Sequence, residues 1–193
     1  MLSETPLSQS AIWPDAKIFK TKQFRDACVE AQNALFWVAR GANSFLEYLP
    51  QNQHLSLLWV ADSQDFRTRY FEKQFQIGLS IRDLEIYFCE NGVKVPHSFC
   101  FDDRTPAFAE AWYLVELLHR DLDQSKFSTS LPFDSPFMLM GDTQDHNASL
   151  YCDELEALHV SLLKSVRMFQ RIPHLLAPAK SLLHQPNKIV LEP

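Results

Sequence analysis

The dipeptide Asn91-Gly92 constrains this chain more than any other feature. A two-residue type I′ turn needs positive φ at both central positions, and Asn-Gly adopts that geometry at least cost. The pair stands between two apolar-rich runs, residues 84–90 and 93–101, and so predicts an antiparallel hairpin. Pairing Glu90 with Val93 puts Phe88 opposite Val95, Ile86 opposite His97 and Leu84 opposite Phe99. All of these inward positions are apolar except His97, so this is the expected core face. The same register sets Cys89 against Lys94 and Cys100 against Asp83, which keeps the two thiols from pairing across the hairpin. Pro96 cannot donate to a ladder, so its strand is an edge or pairs irregularly there.

Further elements fall on either side. Leu55 to Ala61 reads as a short buried strand, and Phe75, Ile77, Leu79 and Ile81 alternate with Gln76, Gly78 and Ser80, one face apolar and the other polar. Ahead of them, Phe24, Cys28, Ala31, Leu35, Val38, Ala42, Phe45 and Leu49 recur at steps of three and four. That is the apolar face of a helix over about 22–48, capped by Thr21, stopped by Pro50, and bent or closely contacted at Gly41. Thr105-Pro106 opens a second helix, about 106–122, whose stripe is Phe108, Trp112, Val115 and Leu118 or Leu122. Phe127 to Leu131 reads as one more strand. Residues 132–147, rich in Pro and Asp, read as a long ordered loop of a length that often carries function. Tyr151, Leu155, Leu158, Leu162, Val166 (or Ser165) and Phe169 form a third helical stripe, with Asp153 and Glu154 at its start and Lys164, Arg167 and Arg171 near its end, as the helix dipole favours. Pro173, Pro178 and Pro186 then break the helix.

These elements predict an α+β fold, an antiparallel sheet of about four to five strands packed against three helices. Residues 1–20 form an N-terminal arm with Trp13-Pro14 as its anchor, 21–172 a single domain, and 173–193 a Pro-containing tail. A chain of 193 residues, 46% hydrophobic, buries enough surface to fold without disulfides or metal. A net charge of −6 argues against a nucleic-acid partner, which needs a concentrated basic surface. No apolar run reaches the ~20 residues of a membrane span, and the first residues lack a signal-peptide pattern. Cys28, Cys89, Cys100 and Cys152 show no C-x-x-C spacing and read as reduced thiols, so the expected location is the cytoplasm.

Residues 141–149 are the richest polar stretch. Asp142, Asp145, His146 and the nearby Asp153 could supply oxygen and imidazole ligands to a metal, or a carboxylate that orients a His base. The alternative is a solvated loop ending in a helix cap at Asn147 or Ser149. His54 precedes the first strand and His97 lies in the hairpin; either could meet the Asp145/His146 loop, or simply be satisfied by a neighbouring backbone or hydroxyl group. Trp59, Trp112, Tyr87 and Phe88 could line an apolar pocket or serve as plain core. With only four glycines no phosphate-cradling loop is available, there is no G-x-S-x-G or H-E-x-x-H, and Cys152 lacks a nucleophile's context. None of these patterns implies a cofactor.

Several segments together resemble an uncharacterised bacterial family, one of the domains of unknown function. They are Trp13-Pro14 ahead of the first helix, Gln53-His54-Leu55 leading into a strand, and Phe75-Gln76-Ile77-Gly78-Leu79-Ser80-Ile81 running into Leu84-Glu85-Ile86. The fourth is Asp145-His146-Asn147-Ala148-Ser149-Leu150-Tyr151-Cys152-Asp153 at the last helix, where the family tends to show an acidic residue, a His and a Tyr-Asp pair. The likeness spans about residues 13–170 and implies a scaffold with polar positions of interest at Asp145, His146, Tyr151 and Asp153, not a reaction. This chain has Leu55-Ser56 where the family carries an aromatic pair after its first His, and it lacks the family's C-terminal Trp- and Arg-containing segment. The order of elements is also similar to that of acidic, dimeric α+β secretion chaperones, which would imply a homodimer holding a protein client.

The expectation that follows is a domain that binds a small molecule or a protein partner without robust catalysis. One alternative is a metal-assisted or hydrolase-like enzyme built on His54, Asp145 and His146, with Asp153. The other is the chaperone-like dimer.

Overall fold

The computed structural model of the chain describes residues 13–175 and 188–189. It is an α+β fold in which three helices pack with an antiparallel sheet. Helix α1 spans Lys22–Phe45, α2 Pro106–His119 and α3 Cys152–Leu175. The sheet strands are β1 Leu57–Val60, β2 Asp65–Arg67, β3 Phe75–Ser80, β4 Glu85–Glu90, β5 Val93–Lys94 and β6 Phe99–Cys100. A separate two-stranded ladder joins β7, Asp102–Arg104, to β8, His146–Asn147. Finally β9, Lys188–Ile189, pairs with β1, so the order across the main sheet is β5-β4-β3-β2-β1-β9, with β6 also on β4. Every strand pairing is antiparallel.

Helix α1 starts as its sequence dictates: Thr21 is extended, and its hydroxyl accepts a hydrogen bond from Phe24 N at 3.0 Å. Such a cap stabilises by about 1 kcal/mol. Ala27, Ala31, Ala34 and Val38 are buried, a small-residue face that lets the helix lie close against β3. At Gly41 the approach is closest, since a Cβ there would sit 2.2 Å from Ile77 Cδ1 and 3.0 Å from Tyr113 Oη. Tyr113, fully buried on α2, donates its hydroxyl hydrogen bond to Trp37 O at 2.7 Å and stacks on Phe127 at 4.7 Å between ring centroids.

The hairpin turn forms at Asn91-Gly92, with φ +51 and +82, and Glu90 pairs with Val93 and Cys89 with Lys94 as the sequence predicts. Val95 N still bonds Phe88 O at 3.0 Å. Beyond it the expected register fails: Ile86 faces Phe99, not His97, and Glu85 faces Cys100. Pro96 has no N–H to continue the ladder, so the backbone bulges through His97, which takes φ +71 and is exposed. The slip is two residues, which preserves the side-chain face, so Phe99 and Phe101 fill the core positions where His97 and Phe99 were expected.

Four other expectations are corrected. The polar side of β3 is not solvated: Gln76 is buried and donates to Thr68 O at 2.9 Å, while the Tyr87 ring lies over Gly78 so closely that a Cβ would meet it at 2.4 Å. Residues 127–131 form no strand, because Phe127 folds onto Tyr113 directly after a short helical turn at Gln124–Lys126. Helix α2 is rotated from its expected stripe, with Ala109, Tyr113 and Leu117 buried and Phe108, Val115 and Leu118 exposed. Tyr113 outweighs them by fitting the space beside Trp37 and Phe88, and Leu117 is buried one turn on. The last helix runs through Pro173 to Leu175 and Lys188–Ile189 pair with β1, while residues 1–12 of the expected arm and the rest of the expected tail, with Pro178 and Pro186, lie outside the described residues. Trp13 meets the body only partly, with Lys164 Nζ 4.9 Å over its ring and half of the side chain exposed.

Phe88 has no exposed surface and packs with Trp112, Tyr113 and Phe71, so Phe88→Ala is expected to cost about 3–5 kcal/mol in urea unfolding. Gly78→Ala is expected to lose about 1–3 kcal/mol through overpacking against Tyr87, rather than to gain strand propensity.

Candidate ligand-binding site

The sequence-predicted polar residues do not converge. His146 sits on β8 with no exposed surface, its Nδ1 2.9 Å from Glu30 Oε2 on α1 and its ring edge-on to Phe101. Its Nε2 is buried without a hydrogen-bond partner. His54 is also buried, accepting from Leu49 N at Nδ1 (3.5 Å) and placing Nε2 3.1 Å from Asn43 Oδ1. Glu30 and Asn43, the partners of these two imidazoles, lie more than three turns apart on α1, about 20 Å at the α-helical rise. The two histidines therefore cannot share a centre.

The remaining candidates are dispersed as well. His97 is exposed, with its ring 6.4 Å from that of His119. Asp145 and Asp153 are exposed, and Tyr151 is half-buried against the core. Asp142 is used locally, accepting from Thr105 Oγ1 at 2.7 Å. Neither Asn147 nor Ser149 caps a helix with its side chain; Ser149 N instead donates to Asp102 Oδ1 at 2.9 Å. Among the described residues no three His, Cys, Asp or Glu side chains gather where they could hold a metal ion. The carboxylate that orients His146 is Glu30, from a distant part of the chain. Its only sequence signal is a charge placed among Ala27, Ala31 and Ala34 on a buried helical face.

Trp59 and Phe88 are core residues, partly buried Trp112 packs against Phe88, and Tyr87 is buried on the other face of the sheet. The apolar pocket lies elsewhere. Between α1 and α3, over β1 and β2, a cleft of about 230 Å³ is lined by Cys28, Leu35, Leu57, Phe66, Leu158 and Leu162. Leu57 and Phe66 form its buried floor, while Leu35, Leu158 and Leu162 are half-buried and open it to solvent. Gln32 is the one hydrogen-bonding amide on its wall, and burial pushes the Cys28 thiol above its ordinary range, so the sulfur presents as a weakly polar surface. The cleft contains two of the three helical stripes read from sequence. What sequence could not show is that those stripes stand apart at these residues instead of closing together.

The opposite face of the sheet is polar. Tyr87 Oη donates to Asp65 Oδ2 at 2.5 Å, Arg67 Nη1 donates to Gly92 O at 2.8 Å, and Lys94 Nζ lies 2.6 Å from Glu85 Oε2 and 4.4 Å over the Tyr87 ring. Ser98 also bonds Glu85. Burial raises the Asp65 carboxyl above its ordinary range, and burial together with Asp65 raises the Tyr87 phenol. Glu85 is opposed by burial too, but the bonds from Lys94 and Ser98 prevail and hold it below the usual carboxylate range. These groups bond one another across β2, β4 and the turn, with Arg67 Nε left unpartnered, and they fasten the hairpin.

All four cysteines are unpaired, and among the described residues no helix is long and apolar enough to cross a membrane.

Burial depresses the imidazoles of His54 and His159, the latter 3.2 Å from Gln64 Oε1. Their unfolded-state value is about 6.5, so both states are neutral above that pH and the stability is fully present there. As pH falls below 6.5 the unfolded chain takes up protons that the fold refuses, and stability drops until the folded values are passed. Urea midpoints measured from pH 7.5 to 5 are expected to fall, and His159→Gln is expected to flatten part of that slope.

No family model matches the chain, nor does any curated protein or solved structure.

Proposed function

We propose that this chain is a binding domain whose ligand is a small, uncharged apolar molecule held between α1 and α3. The observation that carries the reading is the 230 Å³ cleft, with Leu57 and Phe66 beneath it and leucines at its mouth. An apolar cavity of about 150 Å³ takes a benzene ring, so this one suits a bicyclic aromatic or a short branched aliphatic group. Transfer of that surface out of water supplies the driving force, at roughly 25 cal/mol per Å² buried. Gln32 offers the one directional contact by which such a ligand could be oriented. The free thiols support a reducing location, the cytoplasm, for this activity.

The test is a titration of the methyl-labelled protein with indole, naphthalene and C6–C8 alkanols, followed by NMR. Saturable shifts are expected at the methyls of Leu35, Leu57, Ile81, Leu158 and Leu162, and Leu35→Lys at the rim is expected to weaken binding at least tenfold while leaving the spectrum folded. Absence of saturable shifts at millimolar concentration with every member of the panel would remove the reading.

A further inference from the structure

On a different side of α1 lies a buried cation whose nearest acidic influence, Glu110 on α2, is exposed and makes no ion pair with it. Arg40 is 1% exposed, among the most buried large side chains of the protein. The face of its guanidinium lies over the Trp37 ring at 4.2 Å, and Nε donates to Thr129 O at 2.9 Å. Nη2 points at the sulfur of Met140, 3.1 Å away. Among the described residues no carboxylate is within ion-pair distance of it, whereas Arg120, also well buried, has Glu116 at 2.7 Å and Glu90 at 3.2 Å. Burial pushes the Arg40 guanidinium down to about 10. A buried cation is ordinarily paired, because removing it from water without a partner is costly. A thioether is a weak acceptor, so Nη2 is only weakly satisfied, and Nη1 makes no hydrogen bond among the described residues.

The cover over that fork is thin. Residues 128–141 form no helix or strand, and α1 holds them through Asn33 on Phe137 O and Leu139 N, Asn43 on Ser130 O, and Ser44 on Ser128 N. Met140 itself is more than half exposed. Its unbranched side chain turns about several torsions, so its sulfur can leave Nη2 without unfolding the segment. What it would uncover is a planar fork of N–H donors backed by an indole ring and fixed at Nε, a geometry that matches the two oxygens of a carboxylate or phosphoryl group.

We propose that Arg40 is the anchor of an oxyanion site beneath residues 128–141, with Met140 as its movable cover. The ligand class is a small molecule bearing a carboxylate or phosphoryl group, bound through Nη1 and Nη2 in place of the Met140 sulfur. The site is independent of the apolar cleft, which lies on another face of the helix.

Acetate and inorganic phosphate, titrated separately at constant ionic strength against chloride, distinguish the two oxyanions. The readouts are melting temperature and the NMR signal of the Arg40 Nε–H group, which its bond to Thr129 keeps visible. One or both anions are expected to give saturable shifts of that signal and a rise in melting temperature. Met140→Ala is expected to tighten binding about threefold or more by clearing the fork. Met140→Glu is expected to place a carboxylate on Nη2, raise the melting temperature without added anion and abolish the response. Because Arg40→Met removes a tie to the segment and can impair folding, the two Met140 variants carry the decision. An Arg40 signal unmoved by either anion, or a response that survives Met140→Glu unchanged, overturns the proposal and leaves Arg40 as a fastening for residues 128–141.

Discussion

Helix α1 is packed from three sides, and the rest of the structure is arranged by that constraint. Half of its 24 residues are buried. Its alanine face lies on β3, where Gly41 admits Ile77 and Tyr113 at a distance no larger residue would allow. Its Cys28–Leu35 side faces α3, and its Asn33, Arg40 and Ser44 side binds the irregular segment 128–141. A surface helix needs one apolar stripe; a helix enclosed in this way must also satisfy polar side chains on its remaining faces.

The two sides that are not sheet contact are where the protein has unspent chemistry. Toward α3 the packing is incomplete and leaves apolar walls apart. Toward the segment 128–141 the packing is closed, but it closes over a guanidinium met by one carbonyl and one thioether. A third buried polar group, His146 against Glu30, ties the β7–β8 ladder to the same helix and keeps one ring nitrogen without a partner. These features have a common origin: one helix crosses the whole domain, and each turn meets a different neighbour.

The sheet shows a different balance. Tyr87 spread over Gly78 turns what would be a solvated face into a covered one, and its bond to Asp65 with the Lys94–Glu85 ion pair completes that cover. The hairpin tolerates its irregularity because the bulge at Pro96 displaces the pairing by an even number of residues. An odd displacement would have turned Phe99 and Phe101 outward and opened the core.

Local physics made the elements legible in the sequence. Asn-Gly sets a turn, Thr21 a cap, a three-and-four spacing a helix, and a period of two a strand, because each depends on backbone geometry and near neighbours only. The α+β class and the start of the hairpin register follow from these. Tertiary structure decided what each face meets. Phe108, Val115 and Leu118 form a good stripe that stays in water because Tyr113 and Leu117 fit the core better. His54 and His146 were both candidates in the sequence, yet each bonds a different point of α1, Asn43 and Glu30, about 20 Å apart along the helix. Arg40 and Glu30 look like ordinary helical charges in the sequence, and only the neighbours brought from more than eighty residues away make one a buried cation bound to a backbone carbonyl and the other the partner of a histidine. Such pairings depend on long-range packing, which periodicity does not encode.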